Sequence, residues 1–475
     1  MAGFETVVVG NRRYDFLRYS WLAGNKVVYG FSDFDSEGDP EWVSRQVDQL
    51  GTLHDWLNLE YQGVHVGRFT IASTLRSLRV GQLDFGEPAT RDKLREILAS
   101  SVRSTRAAAL LLREVRPDCV VLMDRGYSGQ GEVFDLAVNH GIDTLTWHLG
   151  YKSNRLVLKR YHSGNERQHP LSPSADSWSR LCSVPWKPDY GHQIRNELFQ
   201  CYESQDWFSV VGTQFDKRIL SQQMTRQKLG LSPDKKVAVI FPHILWDGSF
   251  FWGEDIFDDY TDWFIETIRA ASANTRLEWV VKLHPAHLVK SKQNKDAGRP
   301  SELEVIDRFF GRLPAHVKLV YPDTELSTYS LFEIADYTVT VRGTVGIESA
   351  LFGVPVITAG TGRYDRRGFT LDSATRHEYL QKLATLETHP RLTPEQVEIA
   401  ERYAYGVFFG RPLILSCASL EYERDATATP KVKILCQTRE QWLASPDMQQ
   451  LAGWIADGKA EDMLVWPEAS DSDGA

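Results

Sequence analysis

The chain has 475 residues, 42% of them hydrophobic and 25% charged, with a formal net charge of −9. That length calls for two or three domains with sizeable cores, and the acidic balance argues against a general nucleic-acid binder. No apolar run reaches the roughly 18 residues of a membrane span, and five scattered cysteines without a CxxC pair argue against a zinc framework or a disulfide scaffold. The first residues, MAGFETVVVGNRR, run directly into a strand without a signal-peptide layout, so a cytoplasmic location is expected.

In chain order, residues 4–9 read as a strand, 12–22 as a helix and 26–31 as a second strand. An irregular aromatic stretch comes next, containing FTIAST, a strand or the start of a buried helix. The spacing of Leu94, Leu98 and Val102 predicts a long helix over 90–116, ended by Pro117. A strand at 119–123, the loop DRGYSGQGE, a helix at 133–139 and a strand at 143–147 complete an alternation that calls for a parallel sheet. The loop lacks both the GK[ST] of a Walker loop and the GxGxxG spacing. At a strand end it would put Asp124, Ser128 and Glu132 at a ligand crevice. Next, WHLGYKSNRLVLKRYHSGN is dense in cations. His148, Lys152 and Arg155 there would form a basic lip for an anionic acceptor, or a solvated face. Residues 163–190 read as a long loop.

A second alternation begins near residue 206. Strands at 236–241, 277–283, 317–321, 337–341 and 354–359 with helices between them make a second Rossmann-like sheet. Expected units are therefore 1–205, 206–410 and an extension, 411–475, that ends in a disordered acidic tail. The fold class is α/β, with two Rossmann-like domains facing a cleft.

The stretch YTVTVRGTVGIESALFGVPVITAGTGR, 337–363, organises the second half. A strand leads through Arg342-Gly343-Thr344 into a helix that Thr344 can cap and that Gly353 and Pro355 stop. Such a turn gathers unpaired N–H groups and suits a phosphate, and Arg342 would add a bidentate donor. Glu348 lies one turn in and would reach ribose hydroxyls. The same pattern also serves as a plain packing unit. Three strand ends should share one crevice: PHILWDGS, LHPAH and RGTVGIES. There His284 would bond a phosphate oxygen and Pro285 would fix its turn. Arg342, Thr344 and Ser349 would finish a cradle without metal. Asp247, on an aromatic loop, would be a base or nucleophile. Asp255, Asp258 and Asp259 read as helix-start charges rather than a metal set.

At VVKLHP (280–285), VRGTVGIESALFGVPVITAG (341–360) and, more loosely, FPHILWDGS (241–249), the sequence resembles a GT-B glycosyltransferase. More narrowly it is similar to bacterial capsule polysaccharide biosynthesis proteins, the group of the Kdo transferases. The block NHGIDTLTWHLGYKSNRLVLKRY resembles the end of such a first domain. The resemblance implies a donor phosphate held by His284, Thr344 and Ser349, with Glu348 near the ribose. It implies a CMP-linked acidic sugar such as Kdo as donor, a capsule or lipopolysaccharide glycan or glycolipid as acceptor, and no cofactor or metal. The acidic D/E-D/E-G motif of related transferases is incomplete, because Trp246 precedes Asp247-Gly248. Asp124 and Glu132 are therefore rival catalytic carboxylates. A CDP-alditol phosphotransferase, a nucleotide-sugar 2-epimerase and a silent scaffold of a polysaccharide assembly complex are the alternatives. A peripheral membrane contact would fall on the basic 152–160 segment, which has no strong amphipathic anchor beside it.

Overall fold

The computed structural model describes residues 5–10, 27–34, 37–123, 125–208, 214–247, 250–285, 299–421 and 431–464. The helix expected at 12–22 and the acidic tail lie outside them.

In the first half, β1 (Val7–Gly10) and β2 (Val27–Gly30) form a parallel pair. β3 (Cys119–Leu122), β4 (Asp143–Leu149) and β5 (Arg155–Tyr161) form most of a separate sheet. β3 and β4 are parallel, joined over the helix Gly131–Asn139. β5 returns antiparallel to β4, because the few residues between them leave no room for a crossover helix. The expected wholly parallel first sheet is thus a mixed one. The FTIAST segment lies inside the helix Val66–Leu78, which packs on the long helix Pro88–Val115. The loop expected at 163–190 contains the helix Ala175–Ser183, started by the Ser174 hydroxyl accepting from the Ser177 N–H at 3.1 Å.

The second half is a six-stranded parallel sheet. Its strands are β6 (Val237–Ile240), β7 (Glu278–Lys282), β8 (Val317–Val320), β9 (Tyr337–Thr340), β10 (Val356–Thr358) and β11 (Thr370–Leu371). The spatial order is β11-β10-β9-β6-β7-β8. Its strands read as continuous apolar runs because both faces are covered. The two-residue period divides each strand between two cores. Val237 and Val239 pack under the helices Pro188–Glu203, Thr328–Ile334 and Pro394–Tyr405, while Ala238 and Ile240 pack under Tyr260–Ala273 and Arg376–Ala384.

The two halves exchange parts. Ile194, Leu198 and Tyr202 belong to the core of the second sheet. Conversely Ile244, Trp246, Phe250 and Phe251, just past β6, are buried in the core of the first half, with Phe251 stacked on Phe69 at 5.3 Å. Burying each such side chain contributes about 1.5–3 kcal/mol. The exchange holds the two units on either side of a cleft, the α/β arrangement the sequence called for.

A last strand, β12 (Leu413–Ile414), pairs with β5 and brings the chain back to the first sheet. Beyond it, Asp462 is fully buried between Lys159 (3.0 Å) and Arg411 (3.0 Å). No helix among the described residues is long and apolar enough to cross a membrane.

Candidate functional site

The strand order reverses between β6 and β9, and in a doubly wound sheet a crevice forms outside the strand ends at that point. Here the crevice is a cavity of about 340 Å³. Its floor is built from the residues just beyond the two strands: Phe241 to His243 after β6, and Thr340, Gly343 and Thr344 at the end of β9. The two ends are tied directly. Phe241 N–H donates to Val339 O at 2.9 Å, and the Thr340 hydroxyl to Phe241 O at 3.1 Å.

Four basic side chains line it: Lys282, His284, Arg363 and His243. Lys282 ends β7, a strand whose five residues are all buried. Its ammonium reaches Leu283 O at 3.4 Å. Burial, with Lys217 adding to it, pushes the Lys282 ammonium down to about 7. Arg363 is buried and donates to Arg342 O at 2.9 Å and to the Thr344 hydroxyl at 3.1 Å. His243 stacks on Tyr260 at 4.5 Å, and its Nε2 accepts the Arg342 N–H at 3.3 Å. Burial, then Arg342, His284 and Arg363, hold it well below the usual imidazole range, so it is neutral with the proton on Nδ1.

Glu348 lies in the cavity wall with 1% of its surface exposed. It accepts the Tyr202 hydroxyl at 2.5 Å, across from the first half of the chain. Burial raises its carboxyl to about 7, against the pull of the Tyr202 hydrogen bond and of Arg363. Gly346 is required beside it, because a Cβ there would run into the Tyr364 hydroxyl that donates to Gly343 O at 2.7 Å.

His284, Pro285, Gly343, Thr344 and Glu348 thus line one cavity together with Asp247. Asp247 is exposed and accepts the Tyr127 hydroxyl at 2.6 Å from the first half. Other expectations are corrected. Arg342 points out of the cavity: its guanidinium is buried on Asp255 and donates to Trp252 O at 2.5 Å. Asp255 is therefore a counter-ion, while Asp259 is a helix-start charge, accepting Asp262 N–H at 2.7 Å. Ser349 is fully buried under the turn, bonded to the Thr338 hydroxyl at 2.9 Å, and faces the core. Thr344 does not cap its helix with its side chain, since its hydroxyl is turned to Arg363.

Glu132 has no exposed surface. It accepts Ser101 Oγ at 2.6 Å, Ser128 Oγ at 2.8 Å and Gly129 N–H at 2.6 Å, a staple from loop to long helix and not a cleft carboxylate. Asp124 lies outside the described residues. His148, Lys152 and Arg155 do not line the cavity. Lys152 pairs with Glu197 at 3.1 Å, and the neighbouring Lys159 and Arg160 pair with Asp462 and Asp143, so these three cations are held by carboxylates of the chain rather than presented as a basic lip. Among the described residues no group of three or more His, Cys, Asp or Glu is placed to hold a metal ion.

Reasoning from sequence missed Arg363 and Lys282 as the cavity's cations. Lys282 carried a signal, a lysine closing the buried strand EWVVK. Arg363 carried none beyond its place in the loop after β10. Tyr202 was unreadable, since it comes from the helix the first half lends to the second.

No protein-family model matches the chain, and no curated protein matches it. Among solved structures it is similar to Thermosulfurimonas dismutans KpsC, beta Kdo 2,4 transferase, at 15% identity and a TM-score of 0.37, over 66% of this chain and 84% of that one. It is also similar to UDP-GlcNAc 2-epimerase from Neisseria meningitidis, at 12% identity and a TM-score of 0.31, over 84% of this chain and 88% of that one. The wall teichoic acid polymerase TagF matches over 39% of this chain at 16% identity and a TM-score of 0.23. Likenesses this distant decide neither activity nor substrate.

Proposed function

We propose that the chain is a glycosyltransferase that moves a sugar from a nucleotide donor to a glycan. One observation carries the reading: Lys282 and His284 at the end of β7 and Arg363 in the loop after β10 meet at the switch point of the parallel sheet. Three basic side chains in one cavity suit the phosphates of a nucleotide and the charge that grows on them as the sugar leaves. The reading takes that charge from side chains rather than from a metal ion. In this reading Glu348, in the wall of the same cavity, meets the ribose, and protonated it could donate as well as accept. Asp247, held by Tyr127, is the cleft carboxylate positioned to take a proton from an acceptor hydroxyl.

The donor is first an acidic sugar on CMP, the acceptor a surface glycan or glycolipid, and the place the cytoplasm. The test is a thermal-shift panel of CMP, CDP, UDP, GDP and dTDP on the full chain. A ligand that binds the native state raises the melting point by mass action. A CMP-selective shift supports the acidic-sugar donor, and a UDP- or GDP-selective one replaces it. Conversion of a nucleotide sugar with no acceptor present would instead identify an epimerase, and transfer of a phospho-alditol from a CDP donor a phosphotransferase. Nucleotide binding without any turnover would leave a scaffold.

A further inference from the structure

A second cavity, of about 660 Å³, shares Arg363 with the first and no other residue of its described lining. That volume falls within the roughly 300–1,000 Å³ common for small-ligand sites. Its walls come mainly from three segments, 162–168, 253–254 and 361–367, with Ser172, Ala175 and Glu461 beside them. They are fixed to one another through the backbone. Gly253 N–H donates to Arg167 O at 2.7 Å, Thr361 N–H to Glu254 O at 2.9 Å and His169 N–H to Gly362 O at 2.8 Å. Gly253 (φ +54°) and Gly362 (φ +92°) allow that approach, since a Cβ on Gly253 would strike the Thr361 carbonyl. The cavity is preformed and spans both halves of the chain.

Its charges are mixed, and several are unused. Arg363 is buried, and its Nε has no partner among the described residues. Glu166 Oε2 is buried there without a partner as well. Arg366 is exposed at the rim with no side-chain partner among the described residues. Its backbone is held at φ +57° by Asp372, which accepts its N–H at 2.7 Å. A non-glycine residue in that region costs about 1–2 kcal/mol and persists where the surroundings impose it. Arg367 lies over Trp178 and donates to Pro173 O at 3.2 Å. Glu254 adds a rim carboxylate.

A run of phosphates, densely charged and without hydroxyl donors between its charges, would meet Glu166, Glu254, Asp365 and Glu461 in this lining, and a neutral glycan would leave Arg366 without a use. A sugar acid satisfies both signs, with its carboxylate on the Arg366 guanidinium and its hydroxyls donating to Glu166 and Glu254. We propose that this cavity binds an acidic glycan, the acceptor of the transferred sugar. As an acceptor site it rests on the transfer reading above; as a site for a sugar acid it does not.

The test titrates the full chain with tetragalacturonate and, as its uncharged counterpart, maltotetraose, by calorimetry. Tetragalacturonate should bind and maltotetraose should not. Arg366→Glu, a change at an exposed head, should weaken tetragalacturonate on the order of tenfold or more while leaving the nucleotide thermal shift as in the unmodified chain. No binding of tetragalacturonate, equal binding of maltotetraose, an unchanged affinity in Arg366→Glu, or full competition by the nucleotide overturns the proposal. If no nucleotide binds and tetragalacturonate still does so through Arg366, the transfer reading falls and the acidic-sugar site stands.

Discussion

The chain uses one local device twice: a valine-rich strand, a glycine turn and a helix. At 119–139 the turn is packed shut, and at 337–350 it opens on a cavity. In the first, Glu132 turns back and takes three donors of its own neighbourhood. Phe69 fills the space over Gly131, and the Arg125 guanidinium is enclosed by Phe134, Tyr161 and Trp252 at 4.4, 4.7 and 4.5 Å. In the second, the roof is a helix lent by the other half. Tyr202 reaches down to Glu348, and Lys282 and His284 arrive from β7 with room between them. A glycine turn at a strand end therefore says little alone. The elements laid over it decide whether it binds or only packs.

Substitutions can break this contrast. The largest effect is expected at the open turn. His284→Ala should lower transfer on the order of 100-fold or more while the circular dichroism spectrum stays unchanged. Turnover near that of the unmodified chain would remove the phosphate role. At the closed turn, Glu132→Ala strands three donors and should cost about 3 kcal/mol in urea denaturation, with nucleotide affinity per folded molecule unaltered. Activity lost beyond the unfolded fraction would return Glu132 to the catalytic candidates.

The two arginines sharpen the contrast further. Arg363→Met should weaken nucleotide binding on the order of tenfold, whereas Arg342→Met should act on stability through the uncompensated Asp255. Equal losses of affinity in both variants would undo that division. The smallest effect is that of pH. Lys282, held down to about 7 by burial and Lys217, loses its charge as pH rises through that value, and Glu348, pushed up to about 7 by burial, gains a negative one. Both changes oppose a bound phosphate, so the nucleotide Kd should rise several-fold between about pH 6 and about pH 8. A flat profile would remove Lys282 from the phosphate and Glu348 from its neighbourhood.

Much of the second sheet was legible because its signal is local. Apolar strands at regular intervals, punctuated by glycine and proline, name a doubly wound sheet whatever surrounds them, and they also place His284 and Thr344 at one edge. The first sheet was less legible. Its β5 carries Lys159 and Arg160, which look solvated until Asp462 and Asp143 are brought to them from elsewhere in the chain.

The sequence by itself determined the strand ends, and with them the edge of the sheet where chemistry can gather, because strand and turn formation depend on neighbours a few residues apart. Tertiary structure alone decided which charged groups face the cavity. Arg342 and Arg363 are equal in chemistry, yet Asp255 and the Trp252 carbonyl draw one away while Thr344 turns the other in. A buried guanidinium goes where its hydrogen bonds can be satisfied, and those partners come from parts of the chain that no local pattern connects.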